Sequence, residues 1–146
     1  MPVESTATSS TYWRSPVIWL ALLVGLLFIV AGVQAMVTPA RMSLAFGLPM
    51  VSATETAFVQ VYGSRTVVIA AFVVAQLVLR RVQVAALLLS IATVLPLVDV
   101  WVIAQRRGFG PATYQHFGYL ALLAVLSLML WRQSRAMRRE GALAQA

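Results

Sequence analysis

The chain has no cysteine and no lysine, a single histidine, and only four acidic residues among 146. Without cysteine there can be no disulfide, thiolate metal site or cysteine nucleophile. One histidine, with no HExxH, argues against a zinc or haem centre, so neither metal nor cofactor is expected. No phosphate-cradling glycine loop occurs; Gly108-Phe109-Gly110 reads as a turn. Ser64, within Gly63-Ser64-Arg65, lacks the strand–turn–helix setting of a nucleophile elbow. Charge is scarce as well: 10% of residues, where a soluble domain carries about 25%.

What is abundant is apolar surface, 61% of the chain. It is gathered into four runs of membrane length, since a helix needs about 20 residues to cross roughly 30 Å of hydrocarbon. The expected helices are about 16–37, 57–79, 82–104 and 112–131. The first also resembles a signal peptide around Val33-Gln34-Ala35, but its length favours a retained helix. Residues 1–15 read as a disordered polar tail and 132–146 as a basic cytoplasmic tail. The connector at 38–56 is punctuated by Pro39, Gly47 and Pro49, with a short apolar patch that suits an interfacial half-turn or a lid. Ala21, Gly25 and Gly32 form a small-residue stripe suited to close helix packing. The fold class expected is all-α, an integral membrane four-helix bundle, multi-pass, in a membrane the sequence does not identify.

All eleven basic residues are arginines, giving a net charge of +7. They flank the apolar runs instead of forming a stripe interleaved with aromatics, which argues against nucleic acid as a partner. Seven (Arg14, Arg80, Arg81, Arg132, Arg135, Arg138 and Arg139) fall on one side and three (Arg41, Arg106 and Arg107) on the other. The positive-inside rule then places both termini in the cytoplasm.

A few ionisable side chains remain in or beside the spans: Glu55, Arg65, Asp99 and His116. Arg or Asp at the centre of a span costs roughly 2.5–3.5 kcal/mol, so such groups pair, line a polar cavity or do chemistry. The topology puts Arg65 and Asp99 at similar depth in the outer half, about 12 Å and 8 Å in at the helical rise. They are therefore expected to pair. Tyr62 and Glu55 share a face, with Arg65 about 60° away. His116, Tyr119, Gln34 and Trp101 belong to the same half. Pro96, just ahead of Asp99, is expected to kink its helix. Each residue also has a plain reading: Glu55 as an interfacial group near a helix start, His116 bonded to a backbone carbonyl, Gln34 as interhelical glue, the tyrosines as packing, and Arg65–Asp99 as a structural pair that sets register.

Pro39, then Phe46-Gly47-Leu48-Pro49, Gly63-x-Arg65, Pro96-x-x-Asp99 and His116 together resemble a family of small four-helix integral membrane proteins. That family is catalogued as a domain of unknown function and occurs in bacteria and fungi, in some cases beside secondary-metabolite genes. The likeness spans roughly residues 17–131. An acidic residue often follows the arginine in that family; Thr66 stands there in this chain. The resemblance implies four helices with a polar site at these positions.

The function expected is acid–base catalysis, without a redox cofactor, on a lipophilic small molecule: epoxide opening, cyclisation or isomerisation of a polyketide or terpenoid. Asp99, Arg65, His116 and Tyr62 are the candidate catalytic residues. Gln34, Glu55, Tyr119 and Trp101 are the candidate substrate contacts. The alternative is a non-catalytic membrane binding, assembly or transport protein in which Arg65–Asp99 is structural. Membrane lipid is a further partner, and a homo-oligomer is compatible with the sequence.

Overall fold

Pro16 opens α1 (Pro16–Val37), where the missing N–H of a proline costs nothing. Thr38 leaves helical geometry ahead of Pro39, which in turn opens α2 (Pro39–Phe46). Gly47 closes α2 at φ +95, a conformation glycine adopts without strain. Ser52 and Glu55 then form a reciprocal capping box: the Ser52 hydroxyl accepts from the Glu55 amide at 3.2 Å, and the Glu55 carboxylate accepts from the Ser52 amide at 3.1 Å. They start α3 (Ala53–Val78). A tight turn through Arg80, at φ 59, leads to α4 (Val82–Ala92), followed by α5 (Val94–Arg107) and α6 (Pro111–Leu143). This computed structural model describes residues 12–50 and 52–143, and among these there is no strand.

The fold is all-α. Four segments are long and apolar enough to cross a membrane: Pro16–Val37, Ala53–Val78, Val82–Arg107 and Pro111–Glu140. By length and composition this is a multi-pass membrane protein. Large side chains such as Leu23, Leu27, Phe72 and Trp101 point outward, as they do when hydrocarbon is the solvent.

Several boundaries differ from the sequence expectation, for identifiable reasons. The third run is two helices instead of one, interrupted at Thr93. Pro96 has no N–H for the carbonyl four residues earlier, and its ring crowds that carbonyl. The connector at 38–56 holds a complete helix, α2, and the first turn of α3. The basic segment after 131 continues as helix to Leu143. The expected disordered tail lies outside the described residues for 1–11. Tyr12, by contrast, is buried: its hydroxyl donates to the Leu77 carbonyl, and the Arg80 guanidinium sits 5.9 Å from its ring centroid.

The packed core occupies the end of the bundle near the α3–α4 turn, where Ile18, Leu77, Val82, Ala85, Leu126 and Leu130 are almost fully buried. In the same half, the Ser90 and Ser127 hydroxyls lie 2.7 Å apart, and the Trp131 indole donates to Ser90 at 3.0 Å, tying α4 to α6. On the other flank α1 and α3 touch through backbone. A Cβ on Gly63 would lie 2.6 Å from the Gly32 carbonyl oxygen, and one on Gly32 would lie 2.7 Å from the Gly63 carbonyl oxygen. The opposite end is less filled, and there the polar residues gather.

Candidate functional site

Three elements bring polar side chains to one point. Asp99 comes from α5, His116 from the start of α6 and Tyr62 from α3. His116 Nδ1 is 3.5 Å from Asp99 Oδ2, and the Tyr62 hydroxyl donates to the same Oδ2 at 3.4 Å. The imidazole is almost wholly buried, at 2% exposure. Its other nitrogen, Nε2, is 3.1 Å from the carbonyl of Phe46, the last residue of α2.

This arrangement limits where protons can be. A backbone carbonyl only accepts, so Nε2 carries a hydrogen. Nδ1 and Oδ2 are then neighbours at 3.5 Å, an ion pair whenever the imidazole is protonated. Nδ1 is close enough for an ion pair but not oriented for a hydrogen bond, which leaves it a buried nitrogen without a hydrogen-bond partner. Contacts of 3.4 and 3.5 Å are looser than the usual 2.5–3.2 Å range. An oxygen placed among the three groups could take hydrogen bonds that they do not make to one another.

The cluster lies on the wall of a hollow. One cavity, of about 290 Å³, is roofed by Met42, Ala45 and Phe46 of α2 and lined by His116, Tyr62 and Tyr119. A second, of about 70 Å³, runs deeper beside Asp99 and Pro96 toward Leu89 and Leu126. Val24, Phe28, Tyr62, Thr66 and Tyr119 are common to both, so the two adjoin. Aromatic edges hold the junction: Phe46 packs on His116 and on Tyr62 with centroids 4.5 and 5.3 Å apart, and Tyr119 packs on His116 at 5.5 Å and Phe28 at 6.0 Å. Gln115 donates to the Tyr119 hydroxyl at 2.8 Å. The Arg107 guanidinium donates to the Gly47 carbonyl at 2.9 Å, fastening the end of the α2 roof.

The expected residues separate. Asp99, His116 and Tyr62 meet, and Tyr119 shares their cavity. Arg65 does not join them. It is exposed on the outer flank of α3, and among the described residues the ion-pair partner of Asp99 is His116. The expected Arg65–Asp99 pair is thus replaced by Asp99–His116. Matched depth fixes position along a helix but not around it, and Arg65 lies about 60° from Tyr62, whose ring is part-exposed while its hydroxyl reaches Asp99. Glu55 is exposed and serves the capping box. Gln34 is exposed and lines neither cavity; its backbone carbonyl accepts from Thr38. Trp101 is 60% exposed and faces away from the cavity. Phe46 was not singled out in sequence, although its carbonyl and ring both contact His116. Its place in an apolar patch ahead of Gly47 was the available signal.

No curated protein and no solved structure matches the chain. A family model does match over residues 25–130, a stretch that includes Tyr62, Asp99, His116 and the α2 roof. With more than half of its length matched, the chain belongs to the family described as Domain of unknown function (DUF4267).

Proposed function

We propose that this protein is a membrane-embedded acid–base catalyst acting on a lipophilic small molecule, with Asp99, His116 and Tyr62 as its catalytic residues. One observation carries the reading: a buried histidine nitrogen without a hydrogen-bond partner faces a carboxylate that accepts from a phenol, on the walls of two adjoining apolar cavities. Asp99 accepts a proton from the substrate. The Tyr62 hydroxyl turns from Oδ2 to the oxygen on which charge develops. His116 balances the charge on Asp99 and returns the proton at a second position. No electron leaves the substrate, so the set suits isomerisation, cyclisation or opening of a strained ring. Phe46 and the other roof residues bound the cavity; in ring opening a water adds to the ring carbon, its proton goes to Asp99, and the cleaved ring oxygen takes a proton from His116.

The competing reading is a register lock, in which His116 ties α2, α5 and α6 without chemistry. The triple contact of its ring with Phe46, Asp99 and Tyr119 favours that version. Purified protein in vesicles is incubated in D₂O with a C12 β,γ-unsaturated ketone and, separately, a C12 epoxide, and the products are followed by mass spectrometry. Catalysis predicts deuterated conjugated ketone or diol, with Asp99→Asn lowering the rate about 10²–10⁴-fold at unchanged thermal stability. Loss of the folded state in Asp99→Asn, with no turnover by the wild type, would establish the lock instead.

A further inference from the structure

Of the costly charges in the chain, three have local compensation: Glu55 in its capping box, Asp99 and His116 in each other. Arg65 has none. It stands twelve residues beyond Ala53, the first residue of α3, about 18 Å along the helix axis. It is exposed, and among the described residues no carboxylate lies within ion-pair distance of it. Its neighbours Ser64 and Thr66 turn their hydroxyls back to the carbonyls of Val61 and Tyr62, at 2.8 and 3.0 Å. A permanently charged guanidinium at that depth calls for an oxyanion from outside the chain.

The place where Arg65 stands says what kind. It borders a groove of about 310 Å³ between α3 and α5, in which it is the sole charged residue. Tyr62, Thr66, Ile69 and Leu95 line this groove and also the deep cavity beside Asp99. The groove and the deep cavity thus share one wall, with Arg65 on the groove side and Tyr62 between it and Asp99.

We infer that Arg65 is a recognition residue for a membrane-dissolved carboxylic acid, holding the carboxylate at the groove while the apolar chain enters past Tyr62. A phospholipid phosphate offers the same oxyanion chemistry but comes with two chains and a larger headgroup, whereas a single-chain carboxylate suits a groove of about 310 Å³ that shares its wall with a cavity of about 70 Å³. Charge complementarity and the shared walls thus select an amphiphile with one anionic end. This inference rests on the cavity being a ligand site, as proposed above, but not on Asp99 performing chemistry.

The test uses the full-length protein in phosphatidylcholine nanodiscs, with a dansylated undecanoic acid as the reporter ligand. Dodecanoate and methyl dodecanoate compete for it. Wild type is expected to bind the acid about tenfold or more tightly than the ester, because a hydrogen-bonded charge pair is lost in the ester. Arg65→Gln should erase that preference while still binding the ester, which also reports that the cavity is intact. Arg65→Lys should retain part of it. A failure of the catalytic reading would show as no turnover by wild type with its preference for the acid intact, and is therefore separable from a failure of this one. Equal affinity for acid and ester in wild type would overturn the inference. So would a preference that survives Arg65→Gln, or a phospholipid that copurifies with wild type but not with Arg65→Gln and that dodecanoate fails to displace.

Discussion

Replacing Gly63 by alanine adds one methyl group at the point where α1 and α3 meet. The new Cβ would lie 2.6 Å from the Gly32 carbonyl oxygen, 2.8 Å from Ala35 Cβ and 3.1 Å from Met36 Cγ. The first of these is about 0.8 Å short of an ordinary 3.4 Å contact, and the obstructing atom is backbone. No rotamer change relieves it, so the helices must separate. Overpacking of this kind costs about 1–3 kcal/mol. Alanine regains up to about 1 kcal/mol in helix propensity, leaving a net loss of roughly 1–2 kcal/mol. Two controls rank the effect. At Gly25 the obstructing atom is a side-chain methyl of Val74, at 2.6 Å, which can shift at some rotamer cost instead of moving backbone; at Gly118 nothing lies within 4 Å. Gly118→Ala should therefore be neutral or stabilising by up to about 1 kcal/mol. Unfolding in mixed micelles by increasing SDS, followed by far-UV circular dichroism, should rank Gly63→Ala least stable, Gly25→Ala intermediate and Gly118→Ala most stable. The gap between extremes should be about 2 kcal/mol, roughly thirtyfold in the folding equilibrium. A Gly63→Ala protein as stable as Gly118→Ala would refute the backbone-contact account of the α1–α3 pair.

Three other outcomes follow from the same coordinates. Gly47→Ala combines a positive φ with a Cβ only 2.4 Å from Ala112 Cβ; it should loosen the α2 roof, seen as faster amide exchange over residues 39–46 while the α4–α6 amides stay protected. Ser127→Ala removes the 2.7 Å bond to Ser90, and should cost about 0.5–1.5 kcal/mol in the SDS titration, with a change in Trp131 emission. Burial raises the Tyr12 phenol above its ordinary value, partly opposed by Arg80. Its contribution to stability is thus complete below the unfolded value near pH ~10 and is lost as pH rises through the folded one. Tyr12→Phe should be less stable at neutral pH and should lose less of its stability between pH 9 and 11, as measured by thermal melts.

Hydropathy and length made the four spans legible, because the bilayer constrains both. The alternating direction of successive spans and the helical rise were enough to bring Tyr62, Asp99, His116 and Tyr119 to one level. Azimuth was harder to read. Arg65 and Asp99 matched in depth, yet three residues of helix separate Arg65 from Tyr62 and turn it outward. Gln34 and Trp101 lie outside the cavities for the same reason: being in the right half of a helix does not put a side chain on its inner face. The break at Thr93 was announced by Pro96 but falls three residues earlier, where the carbonyl conflict is felt. The α2 roof had its own boundary signals, Pro39 and Gly47, though eight residues were too few to show a periodicity. Gly63 stood in a motif beside Arg65; its role against Gly32 depended on which helix became its neighbour.

The imidazole of His116 touches the roof with one nitrogen and the acid with the other. An aromatic ring does not stretch, so it behaves as a rigid lever between the two. If the Phe46 carbonyl lifts, the ring either tilts away from Asp99 or gives up its hold on the roof; it cannot do neither. Any movement of α2 would thereby change the spacing of His116 and Asp99, with no side chain of the roof reaching the carboxylate.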